Sequence, residues 1–590
     1  MKRVITGLAL LAIATCVYGQ RQDSVFVRDA WNVKTYPAAP HLAQRAAMIP
    51  AVDLSPSASS VPELIDEIAQ WNASGREPMR NGFRRTLPDS INVRLTGAVA
   101  AKTGSAAFAR GIVAMSDRGT ILWSTVVQVE QAHRIRLHLE NVKLPSGAVL
   151  WVYGAGETPH GFGSELIDPA GSIWAPSVSG PLVYLDVEVP SATQASFDIR
   201  EVMELIRTPK PNDQPTCLID ASCVSSSTFA SIANVEAAIA HLEWPVDATH
   251  SGVCTGALLN DRAQDGTPYL LTANHCFSDQ ARASSLEAFF DYRTTSCNGS
   301  TPPVSTLPLV NGAQWLASSP SSDFTFIKLN SRPTGRHLLG WDANGSTIAS
   351  SGVHLNRVSH PFPDAVSFPM PQQYSSTVID ISVAQCRFGT GSVARPQFIY
   401  STADRGGIYG GSSGSPDITD DGHVVGQLLG SCPTGGSAAS DGCDARNSTI
   451  DGAFASTYNT VATWLENGSA VTPTVCTPSA TTLCLSGNRF AVSTTWTTSD
   501  GKSGQGQASA LTADTGYFWF FSPSNVEMVI KVLNACSINS RIWVFAGGLT
   551  NVQVAMTVID TKTGTVKTYN NPQSTAFVPI QDTSAFNTCP

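Results

Sequence analysis

Charge is scarce in this sequence. Asp, Glu, Lys and Arg make up 14% of its 590 residues, and 46 acidic against 37 basic residues leave a net charge of −9. No block of lysine or arginine stands out, so a nucleic-acid partner, which needs a concentrated basic face, is not expected. An anionic membrane surface is disfavoured for the same reason. After the N-terminus no segment reaches the roughly 18 unbroken apolar residues that span a bilayer, so stable membrane insertion is not expected. Neither C-x2-C nor H-E-x-x-H occurs, and no metal or other cofactor is expected. Cysteine is missing from a long stretch as well. Of 13 cysteines, Cys16 lies near the start and all the others follow residue 216.

The N-terminus, MKRVITGLALLAIATCVYGQ, accounts for Cys16. Two basic residues precede an apolar run from Val4 to Ala14, and small residues follow up to Gly19. Residues 1–19 read as a secretory signal, and Thr15 before Cys16 makes a poor lipid-attachment site. The cysteines left after its removal are even in number. In an oxidising compartment they are expected to form disulfides.

The length suggests about three or four domains, and composition places their borders. Residues 20–207, free of cysteine, carry one short helical pattern (Leu64, Ile65, Ile68, Trp71) and then strand-like runs. These are Ile121–Val129, Arg134–Val142, Ala148–Gly154 and Pro181–Val189. Alternation in the second run assigns Ile135, Leu137 and Leu139 to a core and Arg134, Arg136 and His138 to water. The Pro-rich stretch Arg207–Thr216 reads as a linker. Residues 208–467 hold short strands, long loops and most of the cysteines. A second linker, 468–475, leads to a β-rich segment, 476–590, with four cysteines and an aromatic run, Tyr517–Phe521.

The central block holds the residues that suggest chemistry. In GGSSGSPD, Gly410–Asp417, a serine sits among residues small enough for backbone amides to approach a reacting carbonyl. Upstream, YLLTANHCF delivers His275 at the end of an apolar strand. Between them, SSDFTFIKL sets Asp323 at the mouth of another apolar strand, where a carboxylate becomes buried and needs a partner. Serine is a weak nucleophile. An imidazole must take its proton, and a buried aspartate fixes the imidazole tautomer. The order His, Asp, Ser excludes an α/β-hydrolase, in which the serine comes first within G-x-S-x-G, and a subtilisin, in which the aspartate precedes the histidine.

LLTANHC, SSDFTFIKL and GSSGSP resemble the three signatures of the chymotrypsin-like serine proteases, and of the secreted bacterial lysyl endopeptidases in particular. CLIDASC (Cys217–Cys223) resembles that branch's mature N-terminal region, and GQLLGSC (Gly426–Cys432) its strand after the serine. The resemblance covers about residues 215–465. It implies an all-β fold: a chymotrypsin-like double β-barrel, preceded by a β-rich propeptide and followed by a small β-rich accessory domain. It implies a secreted serine endopeptidase acting as a monomer on protein or peptide substrates. His275 would be the general base, Asp323 its orienting carboxylate and Ser413 the nucleophile. The amides of Gly411 and Ser413 would form the oxyanion hole, and Leu428, Leu429 and Gly430 would pair with substrate. The implied disulfides are Cys254–Cys276, Cys223–Cys297 and Cys217 to Cys432 or Cys443, with Cys386 taking whichever remains.

The departures from the family bear on specificity. Ser412 stands where animal trypsins place the aspartate that binds a new N-terminus, and Gly407 where they place the pocket acid. Leu429 replaces the branch's histidine on the substrate strand. An acid for a Lys or Arg at P1 would have to come from Asp444 or Asp451, of which Asp451 is preferred because it directly precedes the strand-like GAF. Without such an acid, Leu429 favours an apolar or small P1 residue. The propeptide junction is expected at Arg207–Thr208, because Lys210 precedes proline.

Overall fold

The computed structural model describes residues 21–41, 52–53, 60–74, 76–96, 105–116, 118–205, 215, 217–362, 370–382, 385–388, 391–394, 397–433, 443, 447–466, 476, 478–500, 502–561, 565–586 and 588–589. The signal segment, the Arg207–Thr208 bond and Asp444 lie outside the described residues. The chain divides into two compact units, Met1–Leu465 and Glu466–Pro590.

Within the first unit, the expected helix runs Ser60–Ala73. Two antiparallel sheets follow and pack face to face. Strands Gly111–Met115, Thr120–Gln128, Val149–Tyr153 and Leu182–Pro190 belong to one, and Met79–Leu95, Arg134–Lys143 and Ala195–Leu205 to the other. Their shared core includes Trp123, Val183, Val93, Leu137 and Phe197. The alternation read from Arg134–Lys143 puts Ile135, Leu137 and Leu139 in that core, but Arg134 and Arg136 are each only 2% exposed. Their face is covered by the barrels, as described below. The expectation that they face water is corrected.

Two barrels follow. In the first, strands run in the spatial order Leu309–Asn311, Glu287–Phe290, Ile239–Pro245, His250–Leu259, Tyr269–Ala273, Phe324–Leu329, Ala313–Ser319. The two end strands are consecutive in sequence, and the chain bends between them at Gly312, whose φ is 73°. In the second barrel, His354–Ser359, Gln373–Ile379, Phe398–Arg405, Asn447–Ala453, His423–Pro433 and Pro416–Thr419 pair in turn, and the last pairs with the first. The six strands close on themselves, so no edge is left open. Helix Phe454–Glu466 packs Phe454, Val461 and Leu465 into the barrel core.

The region before residue 206 is joined to the first barrel through a shared sheet. Strand Met79–Leu95 pairs antiparallel with His250–Leu259, matching Met79 to Val253 and Arg80 to Gly252. Arg134 meets Glu243 through two hydrogen bonds of 3.0 and 3.1 Å, and the Arg136 Nε lies 3.4 Å from Glu287. Both carboxylates are fully buried.

The second unit is a pair of five-stranded antiparallel sheets around Phe490, Phe518, Ile530, Val544 and Met556. Disulfides Cys476–Cys484 and Cys536–Cys589 close it. Its aromatic run divides by strand alternation, with Phe518 and Phe520 in the core and Phe521 exposed.

Candidate active site

His275, Asp323 and Ser413 come from three segments that the barrels bring together. His275 follows the strand Tyr269–Ala273 and Asp323 precedes Phe324–Leu329. These strands pair, matching Ala273 to Phe324, which sets the two side chains side by side. The His275 Nδ1 lies 2.8 Å from Asp323 Oδ2, and the His275 backbone N–H donates to Oδ1 at 3.0 Å. Asp323 is 4% exposed, as its place at the mouth of an apolar strand suggests. Its φ of 47° lies in the left-handed region, which aspartate tolerates better than most residues. Burial disfavours a charged His275. The Asp323 charge and hydrogen bond, with a smaller contribution from Glu77, outweigh that penalty and hold the imidazole above its ordinary pKa.

Ser413 sits between the barrels. Its carbonyl accepts from the Thr255 N–H of the first barrel at 2.9 Å, and the next residue, Gly414, donates to Leu428 O of the second at 2.9 Å. The loop is fixed from behind, because Thr255 Oγ1 donates to Gly411 O at 2.9 Å and Phe362 N–H to Gly410 O at 2.6 Å. Gly411 and Gly414 adopt φ of 87° and 80°, and a Cβ on Gly414 would lie 2.2 Å from Thr272 Oγ1. The glycines of the motif are thus demanded by backbone conformation and by space. The amides of Gly411 and Ser413 donate to no described residue.

The disulfide Cys254–Cys276 braces the histidine loop, and Cys223–Cys297 ties the segment before the first barrel to it. Cys217 pairs with Cys443, so the alternative partner Cys432 is corrected. Cys432 is itself disulfide-bonded. Cys254, His275 and Cys276 lie close enough to suggest a metal cluster. Two of these three ligand atoms are bonded to each other, so the grouping is a brace for the histidine.

Asp451 is placed differently from the expectation of a pocket acid. It is fully buried, its Oδ1 accepts from Arg357 Nη2 at 2.6 Å, and its Oδ2 accepts from Thr449 Oγ1 at 2.8 Å. The same Arg357 nitrogen bonds Asp417. Burial, opposed by Arg357 and reinforced by Asp451, pushes the Asp417 carboxyl well above its ordinary pKa. Arg357 thus engages both carboxyl groups, and Asp451 is committed to a partner inside the protein. Leu428 sits opposite Asp451 in the sheet. Leu429 packs in an apolar cluster with Phe398, Tyr400, Cys432 and Ile450.

Two nearby residues escaped sequence reasoning. His360 is fully buried behind the serine loop, its N–H donating to Thr255 Oγ1 at 3.0 Å. Burial, helped by His241 and opposed by the hydrogen bond that the His360 ring donates to Met370 O, pushes its pKa down to about 3, so it stays neutral. Glu77, far upstream, has its carboxyl within electrostatic reach of His275 and Asp323. Nothing local in the sequence marks either residue.

Residues 212–450 match the family model described as lysyl endopeptidase, C-terminal domain. Over that stretch the chain is similar to the lysyl endopeptidases. A curated lysyl endopeptidase of Pseudomonas aeruginosa is 27% identical over 248 residues, 40% of this chain and 53% of that protein. The chain thus spans about half the length of this relative. Two solved structures, titled Structure of GrC and HL collagenase, are each 14% identical, with TM-scores of 0.28 and 0.27. They cover 39% and 40% of this chain, and the matches span 93% and 94% of those chains.

Proposed function

We propose that the chain is the precursor of a secreted serine endopeptidase. The observation that carries this reading is the His275–Asp323 pair beside a serine loop whose Gly411 and Ser413 amides donate to none of the described residues. Ser413 Oγ attacks the peptide carbonyl as His275 Nε2 takes its proton. Asp323 stabilises the imidazolium. The amides of Gly411 and Ser413 hold the oxyanion, with one such donor contributing about 3–4 kcal/mol. His275 then returns the proton to the leaving amine as the C–N bond breaks, and water resolves the acyl-enzyme by the same route. Residues 20–207 are the propeptide in this reading, and residues 476–590 an accessory domain. The competing reading is a catalytically silent binding protein on the same scaffold. Labelling of the processed protein by a fluorophosphonate, lost in Ser413→Ala, together with casein hydrolysis, separates the two.

For P1 we infer an uncharged side chain. A lysine or arginine entering a largely apolar pocket needs a free carboxylate. Asp451 supplies none because Arg357 already holds it, while Leu429 and the neighbours it packs with are apolar. Digestion of a mixed peptide library should give new C-termini that are apolar or small. Cleavage after Lys or Arg would overturn this inference and point to Asp444, without touching the triad.

A further inference from the structure

Ser413 has the first barrel on one side, through Thr255, and the second on the other, through Leu428. A peptide crossing this seam in extended form would meet Leu428–Gly430 with its acyl half. Its leaving half would meet the strand His250–Leu259, just before Cys254. That second edge is already taken. Met79 and Arg80 lie opposite Val253 and Gly252, in antiparallel register.

The occupying segment is held firmly. Asn72, near the end of helix Ser60–Ala73, accepts from Arg80 N–H and donates to Arg80 O, both at 2.8 Å. Trp71 Nε1 donates to Pro78 O at 3.1 Å, and the Arg80 guanidinium lies 3.6 Å over the Trp71 ring. Met79 is 6% exposed and packs with Val253 and Phe362. It also fills the space above Gly410, where a Cβ would come within 2.4 Å of its Sδ. Gly410 directly precedes the oxyanion-hole residue Gly411. Glu77, two residues upstream of Met79, has its carboxyl in the neighbourhood of His275 and Asp323.

We propose that Glu77–Met79 is an autoinhibitory latch, which fills the leaving-group side of the cleft and sets a carboxyl beside the catalytic histidine. This rests on the endopeptidase reading and adds a consequence to it. Cutting the linker near residue 207 removes neither the shared sheet nor the buried Arg134–Glu243 pair. A cleaved prosegment therefore stays seated and inhibitory, and activity requires its withdrawal or destruction.

The test is the rate of Ser413 labelling by a fluorophosphonate in three forms: the unprocessed chain, the cleaved but still associated complex, and the enzyme freed of its prosegment. The expected result is labelling at least tenfold slower in the first two than in the third. Glu77→Ala and Met79→Gly should bring the unprocessed chain close to the freed rate, while Met79→Leu, which keeps the volume, should stay slow. Should Met79→Gly fail to fold, Glu77→Ala carries the comparison. Equal labelling of all three wild-type forms overturns the latch, as does a folded Glu77→Ala chain that remains slow. Failure of the freed enzyme to label would instead overturn the endopeptidase reading.

Discussion

Residues 79–205 and residues 476–590 are both built of antiparallel strands, yet they answer to different neighbours. The first region runs its strand Met79–Leu95 into the sheet of the first barrel and buries Arg134 and Arg136 against Glu243 and Glu287. The second closes two sheets around a core of its own and carries two disulfides. The region without cysteines is held by another part of the chain, and the cysteine-bearing one holds itself. The difference fits the roles proposed above, since a segment meant to be released can be held by hydrogen bonds and ion pairs but not by a disulfide.

The largest effect should come from breaking the charged seam. Arg134→Ala leaves Glu243 buried without its guanidinium, and removing one partner of such a pair costs about 3–5 kcal/mol. Denaturant unfolding of the precursor should show that loss, with the unfolding of residues 476–590 unchanged. An effect below about 1 kcal/mol, the size of an exposed pair, would mean the seam is solvated.

A smaller effect is expected in the other region. Replacing Cys536 and Cys589 by serine should destabilise the C-terminal unit by about 2–4 kcal/mol, leaving casein turnover unaffected. Truncation after Gly468 should likewise leave turnover intact. Loss of activity in a correctly folded truncated enzyme would show that the second region serves the first unit after all.

The subtlest effect separates two carboxylates by pH. Burial opposes ionisation of Glu243, but Arg134 and His241 pull its pKa down to about 2. Its contribution to precursor stability is therefore present above its ordinary value near 4.5 and lost as pH falls toward 2. Glu77 has the opposite sign. Burial pushes it up to about 7, against the opposing influence of His275 and a hydrogen bond from the Met79 amide. Its contribution is complete below pH 4.5 and lost as pH rises through 7. The stability difference between wild type and Glu77→Gln, measured in denaturant at several pH values, should change across that window. A difference independent of pH would show that Glu77 is already ionised in the precursor.

The candidate residues His275, Asp323 and Ser413 could be singled out because each stands in a short local motif. Glycines around Ser413 are needed by the backbone itself, and an aspartate beginning an apolar strand has few reasons to be there. Strand alternation found the core of the first region through Ile135, Leu137 and Leu139. It misjudged the opposite face, since a charged side chain reads as exposed until its partner is known, and Glu243 lies 109 residues from Arg134. Asp451 was misjudged in the same way, its partner Arg357 being 94 residues away.

What could be read along the chain alone is the candidate trio His275, Asp323 and Ser413, the disulfide-bearing character of the central block and the strand-rich character of the regions on either side. These follow from residue type, order and spacing along the chain. What needed the fold is which charges pair with one another, which cysteine Cys217 takes, and that Met79 packs against Gly410 of the serine loop. Each of those is a contact between segments far apart in sequence. Its energy depends on burial and on the partner's position, and neither is encoded at either residue alone.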